Sequence, residues 1–476
     1  MKRLLIIVAV FIVAGGMGFA QSAGKQSGME IEFLGNRAAD MPSDADNVII
    51  KVMNEKVGIK FKLSGFADYA DISRQLNLRI AAGNPPDAFW RQSKAEVASL
   101  AGDKALLELT PYLSKLPNYR KLLNDETMLD AAKIDGKLYS LPTAASVNYG
   151  ALYIRKDWLN KLGLKVPTTI AETLEVAKAF ATMDPDGNGK KDTFGLSGLG
   201  INTFSFIFGG YGTMGAVYNT TNGANLHVLV ENGKAVFDLY NPRYVQALTE
   251  VKKWVDTGVV DPEIFTHKSN DFWNKVYQGK AGIVDGRWPE FRKLNFDKMI
   301  HDVDPKAEWI AILPPKGPYG AYFGGFAKGG VNQVCLPVQL GEKKNEAKLA
   351  KVLELIDWTA SAAGQTTINL GIEGVHHTLV DGKLQATDKL ATELPWTWTL
   401  LLAGRNDLVS LPARFPYAVK DIDFCVNYPV LRTYDKLVGN FADDINKADI
   451  DRFFDDSVVK FVYGGQPLSQ FGDFVK

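Results

Sequence analysis

Asp184-Pro-Asp-Gly-Asn-Gly-Lys-Lys-Asp192 is the stretch of this 476-residue chain whose residue types most directly imply chemistry. Oxygen-bearing side chains stand at its positions 1, 3, 5 and 9, with Gly189 at position 6. Alternate side chains of such a loop point inward and the glycine permits the sharp turn, which is the spacing of a calcium loop. The twelfth position is Gly195, where a calcium sensor carries a bidentate glutamate, so the loop is expected to hold calcium without switching. The alternative is a polar turn held by Asx hydrogen bonds.

Other chemistry finds less support. Gly210-Tyr-Gly-Thr-Met-Gly215 matches the bare dinucleotide pattern, but Asn219-Thr-Thr-Asn-Gly follows where a phosphate-binding helix should begin. His376 and His377 are neighbours in an expected strand and point oppositely, so they cannot form one chelating face. Neither Gly-x-Ser-x-Gly nor His-Glu-x-x-His occurs.

The elements that must position the loop read as α/β. Met29, Ile31 and Phe33 alternate with glutamates as a strand, and Ile59, Phe61 and Leu63 alternate with lysines as a second. Between them Ser43 and Asp46 resemble a capping pair, and Ile49, Val52, Met53 and Val57 follow at helical spacing up to Gly58. Ile72, Leu76 and Ile80 give another helix, and Pro85 to Trp90 enters a third strand. This β-α-β-α-β order argues for a parallel sheet covered by helices. Ligands of such sheets bind beyond the carboxyl ends of the strands, which favours Asn36 and Trp90. Thr169 with Glu172 forms a capping box for a helix carrying Ile170, Leu174, Ala177 and Phe180, and Phe194 opens a strand. The acidic loop is therefore a helix-to-strand connector. Asp135-Gly136, Asn232-Gly233 and Asp381-Gly382 are hairpin turns. Helices are expected over 244–255 and 347–358, a strand over 279–284, and Leu313-Pro-Pro-Lys-Gly-Pro318 is the most linker-like stretch.

Length favours two domains or lobes. Lys plus Arg and Asp plus Glu are 54 each, so overall charge calls for neither nucleic acid nor an anionic membrane. Lys2 and Arg3, the apolar run Leu4–Val13 and Gly18-Phe-Ala20 read as a cleaved export leader over residues 1–20, with cleavage before Gln21. Cys335 and Cys425 are the only cysteines; neither is placed to carry a lipid anchor, and a disulfide between them is left open.

Ala82-Gly-Asn-Pro-Pro-Asp87, Asp135-Gly-Lys-Leu-Tyr-Ser-Leu-Pro142, Tyr153-Ile-Arg-Lys-Asp-Trp-Leu159, Leu162–Thr169, Asp184–Asp192, Gly258–Glu263 and Gly371-Ile-Glu-Gly374 occur in this order. In them the chain resembles family 1 extracellular solute-binding proteins of ABC importers, of the large oligosaccharide-binding type that includes alginate-oligosaccharide binders. The resemblance implies a two-lobed periplasmic-binding-protein fold (type II) with the ligand in the cleft between lobes. It implies an N-terminal lobe of residues 21–147 and 320–375 and a C-terminal lobe of residues 148–319 and 376–476. Chain crossings would fall near Ala145–Asn148, within Leu313–Phe323 and near Val375. Structural calcium would be held by the side chains of Asp184, Asp186 and Asn188, the Lys190 carbonyl and Asp192; Thr193 departs from the acidic residue that relatives place next. The implied partners are an oligosaccharide and the transmembrane subunits of an ABC permease. The protein would act as a periplasmic monomer, with no nucleic acid and no catalysis.

Sugars pack C–H faces on aromatic rings and need directional polar partners for their hydroxyls. Trp90, Tyr149, Tyr211, Trp288 and Trp396 are the aromatic candidates, each set against ordinary core packing. Arg287 beside Trp288 could offer a fork of donors to hydroxyls or a carboxylate, or form a surface ion pair. Asp285, Asn36 and Glu373 are further polar candidates. Trp254 and Trp358 lie in amphipathic helices and read as core. The rival readings are an exported carbohydrate-active enzyme, with Asp285 and Glu290 as its acid and base, and a sugar sensor feeding a signalling receptor.

Overall fold

A computed structural model gives the protein's structure over residues 28–91, 94–123, 126–143, 149–215, 227–267, 269–326, 333–434 and 447–476. The expected leader and the crossing at 145–148 lie outside these residues. The alternating segment Met29–Asn36 is a strand whose apolar positions Ile31 and Phe33 are buried. It pairs in parallel with Ile59–Phe66 (Phe33 opposite Leu63) and with Ala88–Arg91 (Phe33 opposite Ala88). Gln333–Cys335 then runs antiparallel between Ala88–Arg91 and Leu141–Pro142, completing a five-stranded sheet. Helix Val48–Val57 turns Ile49, Ile50, Met53 and Val57 inward. Its cap is Asn47 and not the Ser43–Asp46 pair: the Asn47 side chain accepts from the Ile49 and Ile50 amides at 3.0 and 3.1 Å. Ser43 instead donates to Asp46 at 2.6 Å within the preceding turn.

A second sheet has four strands in the order Trp309–Ile312, Gly150–Arg155, Ala281–Arg287, Phe194–Ser197. Gly150–Arg155 is antiparallel to both of its neighbours, and Phe194–Ser197 is parallel to Ala281–Arg287. Gly282 is required here, because a Cβ would stand 2.3 Å from the Phe180 ring and 3.0 Å from Trp158. Those two rings meet edge to face at 5.3 Å beneath the strand. The hairpins at Asn232-Gly233 and Asp381-Gly382 form with positive φ at both turn residues, as a two-residue connection demands. Asp135-Gly136 makes the same turn but closes only a single bridge, Ile134 to Lys137.

The buried side chains divide into two large cores. One lies on the first sheet and takes in helix Glu346–Ala360. The other lies on the second sheet and takes in helices Ile170–Thr182 and Pro242–Asp256. Membership of these cores moves two expected crossings. Segment 313–323 stays with the second core: Lys316 donates to Thr168 at 2.8 Å, Tyr319 to Gly210 at 3.0 Å, and Phe323 is buried there. Strand Phe323–Phe326 pairs with Val430–Thr433, so the chain reaches the first sheet only between Phe326 and Gln333. Val375 is not a crossing either. Leu390, Leu394, Trp396, Leu400 and Ala403 remain in the first core, and burial in the second resumes at Leu411. Prolines made 313–318 look like a linker, but the Lys316 and Gly317 amides are satisfied by neighbouring backbone. Cys335 and Cys425 are both free and buried, the latter in the second core.

Candidate functional site

The acidic connector is anchored at both ends. The helix that leads into it is capped at its N-terminus: the Thr169 hydroxyl accepts from the Glu172 amide and Glu172 accepts from the Thr169 amide, both at 3.2 Å, so the capping box exists. The helix ends at Met183, and Asp184 turns the chain with φ of 49°. Gly187 and Gly189 also take positive φ, and their amides donate to the two Asp184 carboxylate oxygens at 3.1 Å each. Asn188 Nδ2 bridges Asp186 (2.7 Å) and Asp192 (3.1 Å), and the Lys190 amide donates to Asn188 Oδ1 at 2.7 Å. Thr193, the departure from the family pattern, is buried and donates to the Phe180 carbonyl at 2.8 Å, pinning the loop's end to its own helix.

The loop's donors are hard oxygens, the set that suits calcium. Burial and the adjacent Asp184 raise the Asp186 carboxyl above its ordinary range. Against burial, Asp184 is lowered by its hydrogen bond with Asp186 and by the Gly189 and Gly187 amides. Neighbouring carboxylates disfavour each other's ionised form and a cation between them would relieve that, so the residues fit the ion. A second carboxylate cluster already has a cation, Lys275. Asp261, Glu263 and His267 bring ligand-type atoms within 4.8 Å of one another. Lys275 Nζ donates to Asp261 at 2.9 and 3.0 Å and also to Glu263, and Ser197 donates to Asp261 at 2.9 Å. That cluster ties Gly258–Glu263 to the strand that follows the acidic loop.

Asn36, Phe66 and Arg91 end parallel strands of the first sheet, and Pro142 and Gln333 pair on the same edge. In the second sheet Gly150 opens opposite Arg287, the last residue of its strand. The chain therefore leaves one sheet and enters the next at carboxyl edges, which is where open α/β sheets bind ligands.

Tyr149, Arg287 and Trp288 meet at this second edge. The Tyr149 and Trp288 rings stack at 5.8 Å, and Phe415 stands edge-on to Trp288 at 5.0 Å, with Tyr417 beyond it at 6.1 Å. Arg405 donates to the Tyr149 hydroxyl and to Asp407. Burial raises the Tyr149 hydroxyl to about 12, Arg405 opposing it. Arg287 forks onto Glu290, Nε at 3.1 Å. Arg414 reaches back to the first core, donating to the Asn369 carbonyl (2.9 Å), the Leu394 carbonyl (3.1 Å) and Thr397 Oγ1 (3.2 Å). Trp288 is fully buried, so the rings this seam can offer are those of half-buried Tyr149 and Phe415 and exposed Tyr417, beside a dense set of cationic donors.

The other expected residues lie elsewhere. Trp90 and Trp396 are buried in the first core, Trp90 edge-on to Phe33 at 5.6 Å, and Trp288 is fully buried in the second, so all three are packing residues. Trp254 is likewise core, and Trp358 packs against the first core. Asp285 is buried and accepts from Ser205, and burial pushes its carboxyl up to about 7. Asp285 and Glu290 thus have different partners. Tyr211 is half-buried at the end of helix Ser205–Gly210, 6.4 Å from Tyr319. Asn36 is half-buried at its strand end, and Glu373 lies exposed, bridged to His377. Sequence reasoning missed Lys293, Arg405, Arg414, Phe415 and Tyr417. The one local sign was Arg414-Phe-Pro-Tyr417, a cation with two aromatics around a proline.

A model of bacterial extracellular solute-binding proteins matches residues 49–370. The chain belongs to this family. It is 26% identical to the polygalacturonan/rhamnogalacturonan-binding protein YtcQ of Bacillus subtilis (strain 168), over 98% of this chain and 94% of that one. It is 27% identical to lipoprotein LipO of the same organism, over 74% of this chain and 68% of that one. Among solved structures, the substrate-binding protein FusA of Streptococcus pneumoniae in complex with kestose superposes with a TM-score of 0.66 at 19% identity, covering 94% of each chain. The alginate-binding protein AlgQ2, in a structure without calcium ion, gives 0.65 at 19% identity over 94% of this chain and 93% of that one. These superpositions carry the two-lobed fold. FusA is also known as an EF-hand mutant in complex with fructo-nystose. The family, YtcQ, FusA and AlgQ2 are binding proteins.

Proposed function

We propose that the protein captures an oligosaccharide outside the cytoplasmic membrane and delivers it to the permease subunits of an ABC importer. The observation that carries this reading is half-buried Tyr149, backed by the buried Trp288 ring at one carboxyl edge and joined through Arg405 to the segment that follows Ala403 of the other core. A ligand touching both lobes stabilises the closed state over the open one, and the permease would read closure. The protein works as an exported periplasmic monomer and needs no covalent chemistry. A thermal-shift screen over neutral and uronate-containing oligosaccharides, with chromatography of the sugars afterwards, tests it. A ligand at a hundred times its Kd adds about 2.7 kcal/mol of stability, which such a screen resolves. Stoichiometric stabilisation with unchanged sugar is expected. Turnover would support an exported carbohydrate-active enzyme instead, and no shift with any sugar would refute the reading. Import lost on gene deletion separates transport from signalling.

The acidic loop serves this reading as a calcium staple. Asp184, Asp186, Asn188 and Asp192 with the Lys190 carbonyl would hold the ion, which supplies charge neutralisation and touches no ligand. Removing divalent ions with a chelator should lower the melting temperature and added calcium should restore it; an unchanged melt would remove calcium from the account.

A further inference from the structure

The seam around Tyr149 holds more positive than negative charge. Arg287, Lys293, Arg405 and Arg414 interact there with Glu290 and Asp407. Arg287 is matched to Glu290 and Arg405 to Asp407. Lys293 and Arg414 remain. Both are half-buried, and neither forms an ion pair with a carboxylate among the described residues. The three acceptors of Arg414 are all neutral: two backbone carbonyls and a hydroxyl. Its guanidinium has five N–H donors, and these bonds leave Nε–H and one Nη2–H, a pair that suits the two oxygens of a carboxylate.

Lys293 caps the C-terminus of the short helix Trp288–Arg292, which carries Glu290, and its ammonium lies within electrostatic reach of Arg414. Burial depresses the Lys293 pKa, and Arg287 and Arg414 depress it further against Glu290. Burial, then the neighbouring Arg405, brings Arg414 down to about 10. Half-buried like charges disfavour each other, and an incoming anion reverses that sign. The charges border the aromatic wall: the Arg414 guanidinium carbon is 5.8 Å from the Phe415 ring centre, and Tyr417 is 48% exposed at the open side.

Resting on the oligosaccharide-binding reading, we infer that the seam selects a carboxylated sugar, a uronate whose carboxylate is held by Lys293 and Arg414 beside the Tyr149, Phe415 and Tyr417 rings. Arg287, the cation the sequence pointed to, is not the recognition group, because Glu290 already holds it.

Titration calorimetry tests this with the trimers of galacturonate, mannuronate and guluronate, each beside its methyl ester, and with neutral kestose. The ester keeps the sugar backbone and removes the charge. At least one acid should bind about tenfold or more tightly than its ester, the value of one charge-assisted bond. Lys293→Gln should lose about tenfold for that acid and nothing for the ester, while its melting temperature stays level or rises. Lys293→Met serves as a second variant of the same design. Equal affinity for acid and ester, an equal loss for both in Lys293→Gln, or binding of kestose alone overturns the inference and leaves oligosaccharide capture standing. No binding by any of the sugars overturns both.

Discussion

Asp285→Asn should reverse its effect on stability between acid and alkaline pH. Asp285 is 7% exposed in strand Ala281–Arg287, and its carboxyl is pushed from 3.8 up to about 7 by burial, which the Ser205 hydrogen bond only partly opposes. A carboxyl raised in the folded state binds its proton more tightly there than in the unfolded chain. Its stabilising contribution is complete below about pH 4 and is lost as pH rises through about 7. A tenfold difference in proton affinity between the folded and unfolded chain is worth about 1.4 kcal/mol, so between pH 5 and pH 8 the wild type loses about 3 kcal/mol at this one group. Asparagine keeps an acceptor for Ser205 but buries an amide donor in place of a carboxyl oxygen, at about 1–3 kcal/mol, and it does not titrate. The variant should be the weaker protein at pH 5 and equal or stronger at pH 8. Buried Trp158, Trp254 and Trp288 report unfolding of the same core by fluorescence in urea. Asp238, which burial lifts to about 6, titrates in both proteins and cancels in the difference. A wild-type-minus-variant difference that stays flat from pH 5 to 8 would show that Asp285 is ionised throughout and would refute the argument.

Arg155→Met should cost about 3 kcal/mol in the same assay, since the guanidinium is 1% exposed, pairs with Asp157 and Asp304, and lies 4.4 Å from the Trp158 ring centre. A loss below 1 kcal/mol would mean that water replaces it. Thr169→Ala should cost about 1 kcal/mol by removing one half of the capping box, measured as a shift in urea midpoint at unchanged slope.

What the sequence disclosed depended on the range of the forces involved. Alternation in Met29–Phe33 and Ile59–Leu63 is a local pattern, and the β-α-β order of the segments around it implied the parallel pairing. The φ demands of Asn232-Gly233 and Asp381-Gly382 are equally local. The acidic loop was legible because its oxygen donors sit within nine consecutive residues. Trp90 and Trp396 were not, because whether an aromatic faces a core or a cleft is decided by the element packed over it. Tyr149 was nameable, but its partner Arg405 is 256 residues away in sequence. Arg414 lies in a helix whose ends serve different cores, and no periodicity marks such a role.

That helix, Asp407–Arg414, also bears on how the lobes can move. Leu411 belongs to the second core, while Ala413 packs against the first. The named bonds that cross the seam are polar: Arg405 to Tyr149, and Arg414 to Asn369, Leu394 and Thr397. Parting an apolar interface exposes surface at about 25 cal/mol per Å² with nothing to replace it. A polar bond opened to water is largely replaced, at a net cost of about 1 kcal/mol each. Two separate cores joined by replaceable bonds can therefore open without disturbing either core. The same Arg414 donors that hold the seam together stand beside the proposed carboxylate position, so ligand and lobe contact draw on one group. Occupancy would then stiffen the joint on which closure turns.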